Sequence, residues 1–149
     1  MKYFGTKAGQ ESRGLLQLRE GAMIRPLELE AGMILVVDDD AGIVKLLRTA
    51  LEAEKFEVLT AADGVEAFKL VRTSKCKCLV LDMKMPRING AELLLLMQAE
   101  NIHVPTIVMA GFGDYQEGEL KEFTNVVKFL HKPFKLEDMV AAIRKFAKR

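Results

Sequence analysis

The sequence lacks the features that mark secreted, membrane-spanning or nucleic-acid-binding proteins. Its net charge is +1, so it has no strong basic field for nucleic acid or for an acidic membrane surface. Its longest apolar runs, such as residues 93–97, fall far short of the ~20 residues that cross a bilayer. The N-terminus has no apolar stretch followed by a small-residue cleavage site. We therefore expect a cytoplasmic protein that binds neither nucleic acid nor membrane.

Cysteine is also scarce, which limits both disulfide and metal chemistry. The two cysteines, Cys76 and Cys78, share one short strand-like segment. A bridge between them would close a strained ring, and no further Cys or His cluster completes a four-ligand metal site. We interpret both as buried, reduced thiols that act as small hydrophobic side chains.

From Met33 onward, short apolar segments alternate with amphipathic segments of helical period. The apolar segments predict strands at residues 34–37, 56–60, 78–81, 106–109 and 126–130. The amphipathic segments predict helices at about residues 42–55, from 63 onward, 91–100, 114–123 and 136–147. Five repeats of strand and helix predict the α/β class, with a doubly wound, five-stranded parallel sheet covered by helices on both faces.

Residues 1–32 do not follow this alternation. They mix Gly, Lys, Glu and Arg with one short apolar patch, and Met33 directly precedes the first predicted strand. We therefore divide the chain into an N-terminal extension, 1–32, and one domain, 33–149. Three interpretations of the extension remain open: a disordered or loosely helical segment, a start codon assigned too far upstream, and a docking segment.

Charged side chains follow three of the predicted strands, at the sheet edge where doubly wound folds bind ligands. Asp38, Asp39 and Asp40 follow the first strand, Asp82 follows the third, and Lys132 follows the fifth. Crowded carboxylates need a compensating cation, and Mg²⁺ prefers oxygen ligands of this kind. A lysine at the same edge suits a phosphate oxygen. The pattern predicts a site that handles a phosphoryl group with Mg²⁺.

A purely structural interpretation of the same aspartates is that they cap the following helix, because Asp is favoured at helix N-termini. One carboxylate is enough for that task, whereas three stand in a row here. We therefore favour the functional interpretation for the set as a whole.

Three segments resemble the signature segments of response-regulator receiver domains in two-component signalling, and the resemblance covers residues 33–148. They are Ile34-Leu-Val-Val-Asp-Asp-Asp40, Leu79-Val-Leu-Asp-Met-Lys-Met-Pro-Arg-Ile-Asn-Gly90 and Lys132-Pro133-Phe134. The resemblance implies a chemotaxis-regulator-like (βα)5 fold, a flavodoxin-like three-layer sandwich. It also implies that a histidine kinase or phosphotransfer protein donates the phosphoryl group. Such a domain is not an enzyme for a separate substrate, because it catalyses only its own phosphorylation and dephosphorylation.

The resemblance assigns roles by position. Asp82 is expected to accept the phosphoryl group, and Lys132 to hold first the acceptor carboxylate and then a phosphoryl oxygen. Asp39 is expected to bind Mg²⁺ directly and Asp38 largely through water. The backbone carbonyl of Lys84 completes the expected metal ligands. The bond to Pro133 is expected to be cis.

One position departs from the pattern of the family. The fourth strand of receiver domains ends in Thr or Ser, whose hydroxyl binds the phosphoryl group, and here that position is Ala110. The aromatic partner in the switch is present as Phe129, without a phenol hydroxyl. Loss of a charge-assisted hydrogen bond should cost about 1.5–3 kcal/mol of phosphate-linked stabilisation. We expect Asp82 to accept phosphate while its coupling to the rest of the domain is weakened.

No helix-turn-helix or other output segment follows the last predicted helix, so we expect a stand-alone receiver that relays phosphate or regulates a downstream protein target. An alternative is a degenerate receiver that acts as an adaptor, with Ala110 as its best support. A phosphatase of the haloacid-dehalogenase type is disfavoured, because its general acid would stand where Lys84 is. The adjacent leucines Leu95 and Leu96 predict an apolar surface patch that a partner covers. That partner could be a second copy in a homodimer, another protein, or the N-terminal extension.

Overall fold

The structure, a computed structural model, describes residues 3–4, 16–18, 23–24 and 33–147. Within residues 33–147 the chain alternates strands and helices around one parallel sheet. The strands are β4 (Met33–Val37), β5 (Glu57–Ala61), β6 (Cys76–Asp82), β7 (Thr106–Gly111) and β8 (Val126–Lys132). The α-helices of this part are α1 (Ala41–Ala53), α2 (Gly64–Thr73), α3 (Gly90–Ala99) and α4 (Leu136–Phe146).

The sheet has the strand order β5-β4-β6-β7-β8, and every neighbouring pair is parallel. Apolar side chains fill a separate core on each face of the sheet. One core takes in α1 and α4 through residues such as Leu47 and Ile143, and the other takes in α2 and α3 through residues such as Val71 and Leu94. The result is the predicted doubly wound, three-layer α/β sandwich.

The predicted fourth helix is shorter than expected. Where residues 114–123 were expected to form an α-helix, the structure has one turn of 3₁₀ helix, Glu117–Leu120. Gly113, directly before the segment, has a φ of 89°, so the segment cannot be extended as a helix toward β7. Gly118 lowers helix propensity further, and only Leu120 and Phe123 in this segment are buried. The segment therefore has too little apolar surface and too much glycine for a full helix.

The two cysteines lie on opposite faces of the sheet, although side chains two residues apart on a regular strand point the same way. The register between β4 and β6 shifts between Met33 and Ile34, which pair with Cys76 and Cys78. This irregularity inserts Lys77 and turns Cys76 toward the core under α2 and α3, while Cys78 packs in the other core. Burial raises the pKa of Cys76 to about 11 and that of Cys78 to about 12. Both thiols are free, and Cys78 is buried as expected, whereas Cys76 is only half-buried.

Three short strands are described in the N-terminal 32 residues: β1 (Tyr3–Phe4), β2 (Leu16–Leu18) and β3 (Met23–Ile24). They form an antiparallel sheet in the order β1-β2-β3. The expectation of a disordered or loosely helical extension falls mostly on residues outside the described ones, so it stays a prediction, as does the domain boundary at residue 33. Among the described helices, none has the length and hydropathy needed to span a membrane.

The adjacent leucines of α3 differ in exposure. Leu93, Leu94 and Met97 are buried, Leu95 is 56% exposed and Leu96 is half-buried. The outward apolar surface predicted for this helix is thus centred on Leu95. The partner that would cover it stays a prediction.

Candidate functional site

Strand register brings the predicted carboxylates together. In the parallel pair β4–β6, Val37 lies opposite Leu81, so the residues that follow, Asp38 and Asp82, are side by side at the carboxyl edge of the sheet. One carboxylate oxygen from each of Asp38, Asp39 and Asp82 lies within 4.8 Å of the others. Asp38 and Asp82 are buried, whereas Asp39 is exposed at the mouth. The site is therefore an acidic pocket with one open side.

Lys132 reaches this pocket from the end of β8. Its Nζ lies 2.9 Å from Oδ2 of Asp38, to which it donates a hydrogen bond, and 3.4 Å from Oδ1 of Asp82. Burial by itself lowers the pKa of this lysine, but the hydrogen bond and charge of Asp38, together with Asp82, raise it overall. Lys132 is therefore a protonated cation shared by two carboxylates.

The helix-capping role belongs to Asp40 alone. Its Oδ1 accepts hydrogen bonds from the backbone N–H groups of Gly42 and Ile43, at 2.9 and 3.3 Å, and so caps α1. Asp38 accepts the backbone N–H of Asp40 at 2.9 Å, which fixes the carboxylate that faces Lys132. The capping explanation accounts for one of the three aspartates and leaves Asp38 and Asp39 for the pocket.

The negative charge in the pocket is only partly compensated by Lys132. Burial, followed by the charge of Asp38, raises the pKa of Asp82 to about 6, against the lowering effect of Lys132 and of the Lys84 N–H. A carboxylate with such a pKa is electrostatically destabilised when ionised. Three oxygen donors of this geometry fit a hard divalent cation such as Mg²⁺, whose charge would relieve that destabilisation.

The loop between β6 and α3 is fixed where it follows Asp82. The backbone N–H of Lys84 donates to Oδ1 of Asp82 at 3.3 Å. Farther along, the guanidinium of Arg87 donates to the carboxylate of Asp63, the N-cap of α2. The neighbouring Gly64 packs so closely that a Cβ there would lie 2.2 Å from the carbonyl oxygen of Ile88. These contacts hold the acceptor loop against α2.

Ala110 and Phe129 lie in the core on the α2 and α3 side, on neighbouring strands. Ala110 is buried and pairs in register with His131, which directly precedes Lys132. The His131 ring stacks on Phe112, with centroids 4.6 Å apart and planes at 5°, and meets Phe129 edge-on at 4.8 Å. An aromatic cluster thus lies beside Ala110, the position at which the resemblance leads us to expect a hydroxyl side chain.

Two features of the site were not predicted from the sequence. One is the stack of the His131 and Phe112 rings, in which Phe112 is 74% exposed. The other is an ion pair between Lys84 and Asp114, which joins the loops after β6 and β7. Their only signals in the sequence are their short distances along the chain from Lys132, Ala110 and Asp82. The peptide bond between Lys132 and Pro133 is cis, the isomer that the resemblance implied.

A doubly wound sheet with an acidic pocket and a lysine at its carboxyl edge defines a class of phosphate-handling α/β domains. Comparison with known proteins narrows the class, because the response regulator receiver domain family matches residues 34–144. The chain belongs to this family, as the signature segments indicated. It is therefore a receiver domain of two-component signalling.

Curated relatives carry the same description. The response regulators MprA of Mycobacterium ulcerans and Mycobacterium leprae are 33% and 34% identical to the chain over 116 residues, which is 78% of it. The chain spans about half the length of these relatives, 50% and 51%. Membership of the family therefore does not by itself assign to this chain the activities and partners of a whole response regulator.

Solved structures agree with the fold. The receiver domain of a Francisella response regulator has a TM-score of 0.71 at 27% identity, and the match covers 78% of this chain and 96% of that one. The response regulator TrrA of Thermotoga maritima, solved in complex with Mg²⁺ and BeF, has a TM-score of 0.69 at 27% identity, with 77% and 98% covered.

Proposed function

We propose that Asp82 accepts a phosphoryl group from a phosphohistidine, on a histidine kinase or a phosphotransfer protein, the partners with which receiver domains interact. The observation that carries this proposal is the position of Asp82, buried at the sheet edge between a second carboxylate and a protonated lysine. A carboxylate that is destabilised as an anion loses charge density when its oxygen forms a bond to phosphorus.

In the proposed reaction an Asp82 oxygen attacks the phosphorus, a P–O bond forms, and the P–N bond to the donor imidazole breaks. Asp38, Asp39, the Asp82 carboxylate and the backbone carbonyl of Lys84 would hold Mg²⁺. The ion would supply charge neutralisation for the transferring phosphoryl oxygens. Lys132 would move from the acceptor carboxylate to a phosphoryl oxygen while it keeps its hydrogen bond to Asp38. In reversal by hydrolysis, water attacks the phosphorus, the P–O bond to Asp82 breaks, and inorganic phosphate leaves while the carboxylate is regenerated.

The alternative of an adaptor that is never phosphorylated has less support. The acceptor carboxylate, its two acidic neighbours and Lys132 are all present and lie together, so the groups that phosphoryl transfer needs are in place. Ala110 supports a narrower version of this alternative, in which phosphate is accepted but drives less conformational change. We propose that the chain signals by contact with a downstream protein target, as a regulatory domain and not as an enzyme for another substrate.

The proposal is tested by incubating the protein with Mg²⁺ and acetyl phosphate, followed by intact mass spectrometry. We expect one phosphate per chain, a loss of the adduct in EDTA, and no adduct in Asp82→Asn. The matched control is Asp138→Asn, which removes an exposed aspartate on α4 and should be phosphorylated like the wild type. An unphosphorylated wild-type protein, or an Asp82→Asn variant that takes up phosphate normally, would contradict the proposal.

A further inference from the structure

Two loops meet across the mouth of the acidic pocket. The loop after β6 carries Lys84, whose backbone N–H donates to Asp82 at 3.3 Å, so the side chain starts beside the acceptor. The loop after β7 carries Asp114, and its Oδ1 lies 3.9 Å from Nζ of Lys84. This is an ion pair between residues 30 positions apart that joins the two loops on either side of the acceptor.

The two partners of this ion pair are not equally fixed. The Asp114 side chain is 33% exposed, and its backbone N–H donates to the carbonyl oxygen of Gly111 at 3.2 Å. Its carboxylate folds back over Gly111, where a Cβ would lie 3.0 Å from Oδ2. The Lys84 side chain is 81% exposed. Asp114 is therefore the less exposed partner on a backbone-bonded turn, whereas the largely exposed Lys84 side chain can exchange one partner for another.

A phosphoryl group on Asp82 would need cations, and the pocket offers few. Lys132 is already shared between Asp38 and Asp82, and Ala110 offers no hydroxyl donor. Lys84 is the next cation along the chain from the acceptor, and its present partner binds it weakly, because exposed ion pairs of this length are weak.

We propose that Asp114 is a positioning residue that holds the Lys84 ammonium away from the phosphoryl position and competes with the phosphoryl group for it. This inference rests on the proposed function. The phosphoryl group brings additional negative charge to Asp82, close to the origin of the Lys84 side chain. When that charge arrives, Lys84 leaves Asp114 and pairs with a phosphoryl oxygen, and the loop after β7 loses its tie to the acceptor loop.

The test measures the affinity for beryllofluoride, a phosphoryl analogue, in the presence of Mg²⁺ by NMR titration of the full chain. Since exposed ion pairs contribute little, Asp114→Asn should tighten binding by about two- to fivefold, and Lys84→Ala should weaken it by a similar factor. The double variant should bind like Lys84→Ala alone, because Asp114 acts only through Lys84. Lys121→Ala removes another exposed lysine and should bind like the wild type.

A second readout needs neither metal nor analogue. In EDTA, the carboxyl ¹³C shift of Asp114 should move in Lys84→Ala and stay unchanged in Lys121→Ala. If the wild type does not bind the analogue, the proposed function itself fails. If the wild type binds the analogue and Asp114→Asn binds it with the same affinity, the positioning role is overturned and the proposed function stands. The same conclusion follows if Asp114→Asn tightens binding equally in the Lys84→Ala background.

Discussion

The charge of Asp82 should make the metal-free protein less stable than an uncharged variant, so Asp82→Asn should raise the free energy of unfolding at neutral pH. Burial and the charge of Asp38 raise the pKa of Asp82 from 3.8 to about 6. Each pKa unit corresponds to about 1.4 kcal/mol, so the ionised carboxylate costs on the order of 3 kcal/mol. We expect Asp82→Asn to gain up to about that amount above pH 6.

The sign of the pH dependence follows from the direction of the shift. The folded protein holds its proton on Asp82 more tightly than the unfolded chain does, so this group stabilises the fold fully below pH 3.8. That contribution is lost as the pH rises to about 6. The advantage of Asp82→Asn should therefore be large at pH 7.5 and small near pH 4. In saturating Mg²⁺ it should shrink, because the bound cation offsets the negative charge of the wild-type pocket.

The assay is urea unfolding in EDTA at pH 7.5 and pH 4.5, with Asp138→Asn as the control. Asp138 is exposed in the first turn of α4, where its charge favours the helix, so Asp138→Asn should lower stability by no more than about 1 kcal/mol and should not raise it. If Asp82→Asn were equal to or less stable than the wild type at pH 7.5, the electrostatic account of the pocket would be refuted. An equal gain at both pH values would also refute it.

The remaining predictions concern the switch position, a close contact and a buried thiol. Ala110→Thr should add about 1.5–3 kcal/mol to the free energy that couples phosphate to the conformational change. If phosphorylation changed the NMR spectrum of Ala110→Thr no more than that of the wild type, this prediction would be contradicted. Gly64→Ala should lower the free energy of unfolding by about 1–3 kcal/mol, because its Cβ would collide with the Ile88 carbonyl. Gly118→Ala is the control for urea unfolding, since a Cβ there meets nothing within 4 Å. Cys78, whose pKa is about 12, should resist alkylation at pH 8 in the native state and react after unfolding. Rapid native alkylation would show that the thiol is not buried.

The sequence predicts the sheet well because its strands are nearly all apolar and regularly spaced. The two faces of the sheet and the convergence of Asp38, Asp82 and Lys132 follow from the rule that parallel strands present their carboxyl ends at one edge. The start of α2 also follows from local chemistry, since Asp63 accepts the N–H of Glu66 at 2.9 Å and caps the helix. Local chemistry and sheet geometry were sufficient for these features.

Other features depend on tertiary contacts that periodicity does not encode. The helix expected at residues 114–123 is reduced to one 3₁₀ turn, because only Leu120 and Phe123 of the segment are buried in the core. The separation of Cys76 from Cys78 results from a register shift beside β4, which no strand pattern shows. The Lys84–Asp114 ion pair joins two loops whose approach depends on the whole sheet.

The most direct test of the central claim is to locate the phosphoryl group chemically. After phosphorylation with acetyl phosphate and Mg²⁺, borohydride reduction converts an aspartyl phosphate to homoserine, and peptide mass spectrometry then reads its position. The account predicts homoserine at position 82 and unmodified aspartate at positions 38 and 39. Homoserine at position 38 or 39, or homoserine at none of these three positions, would contradict the assignment of Asp82 as the acceptor.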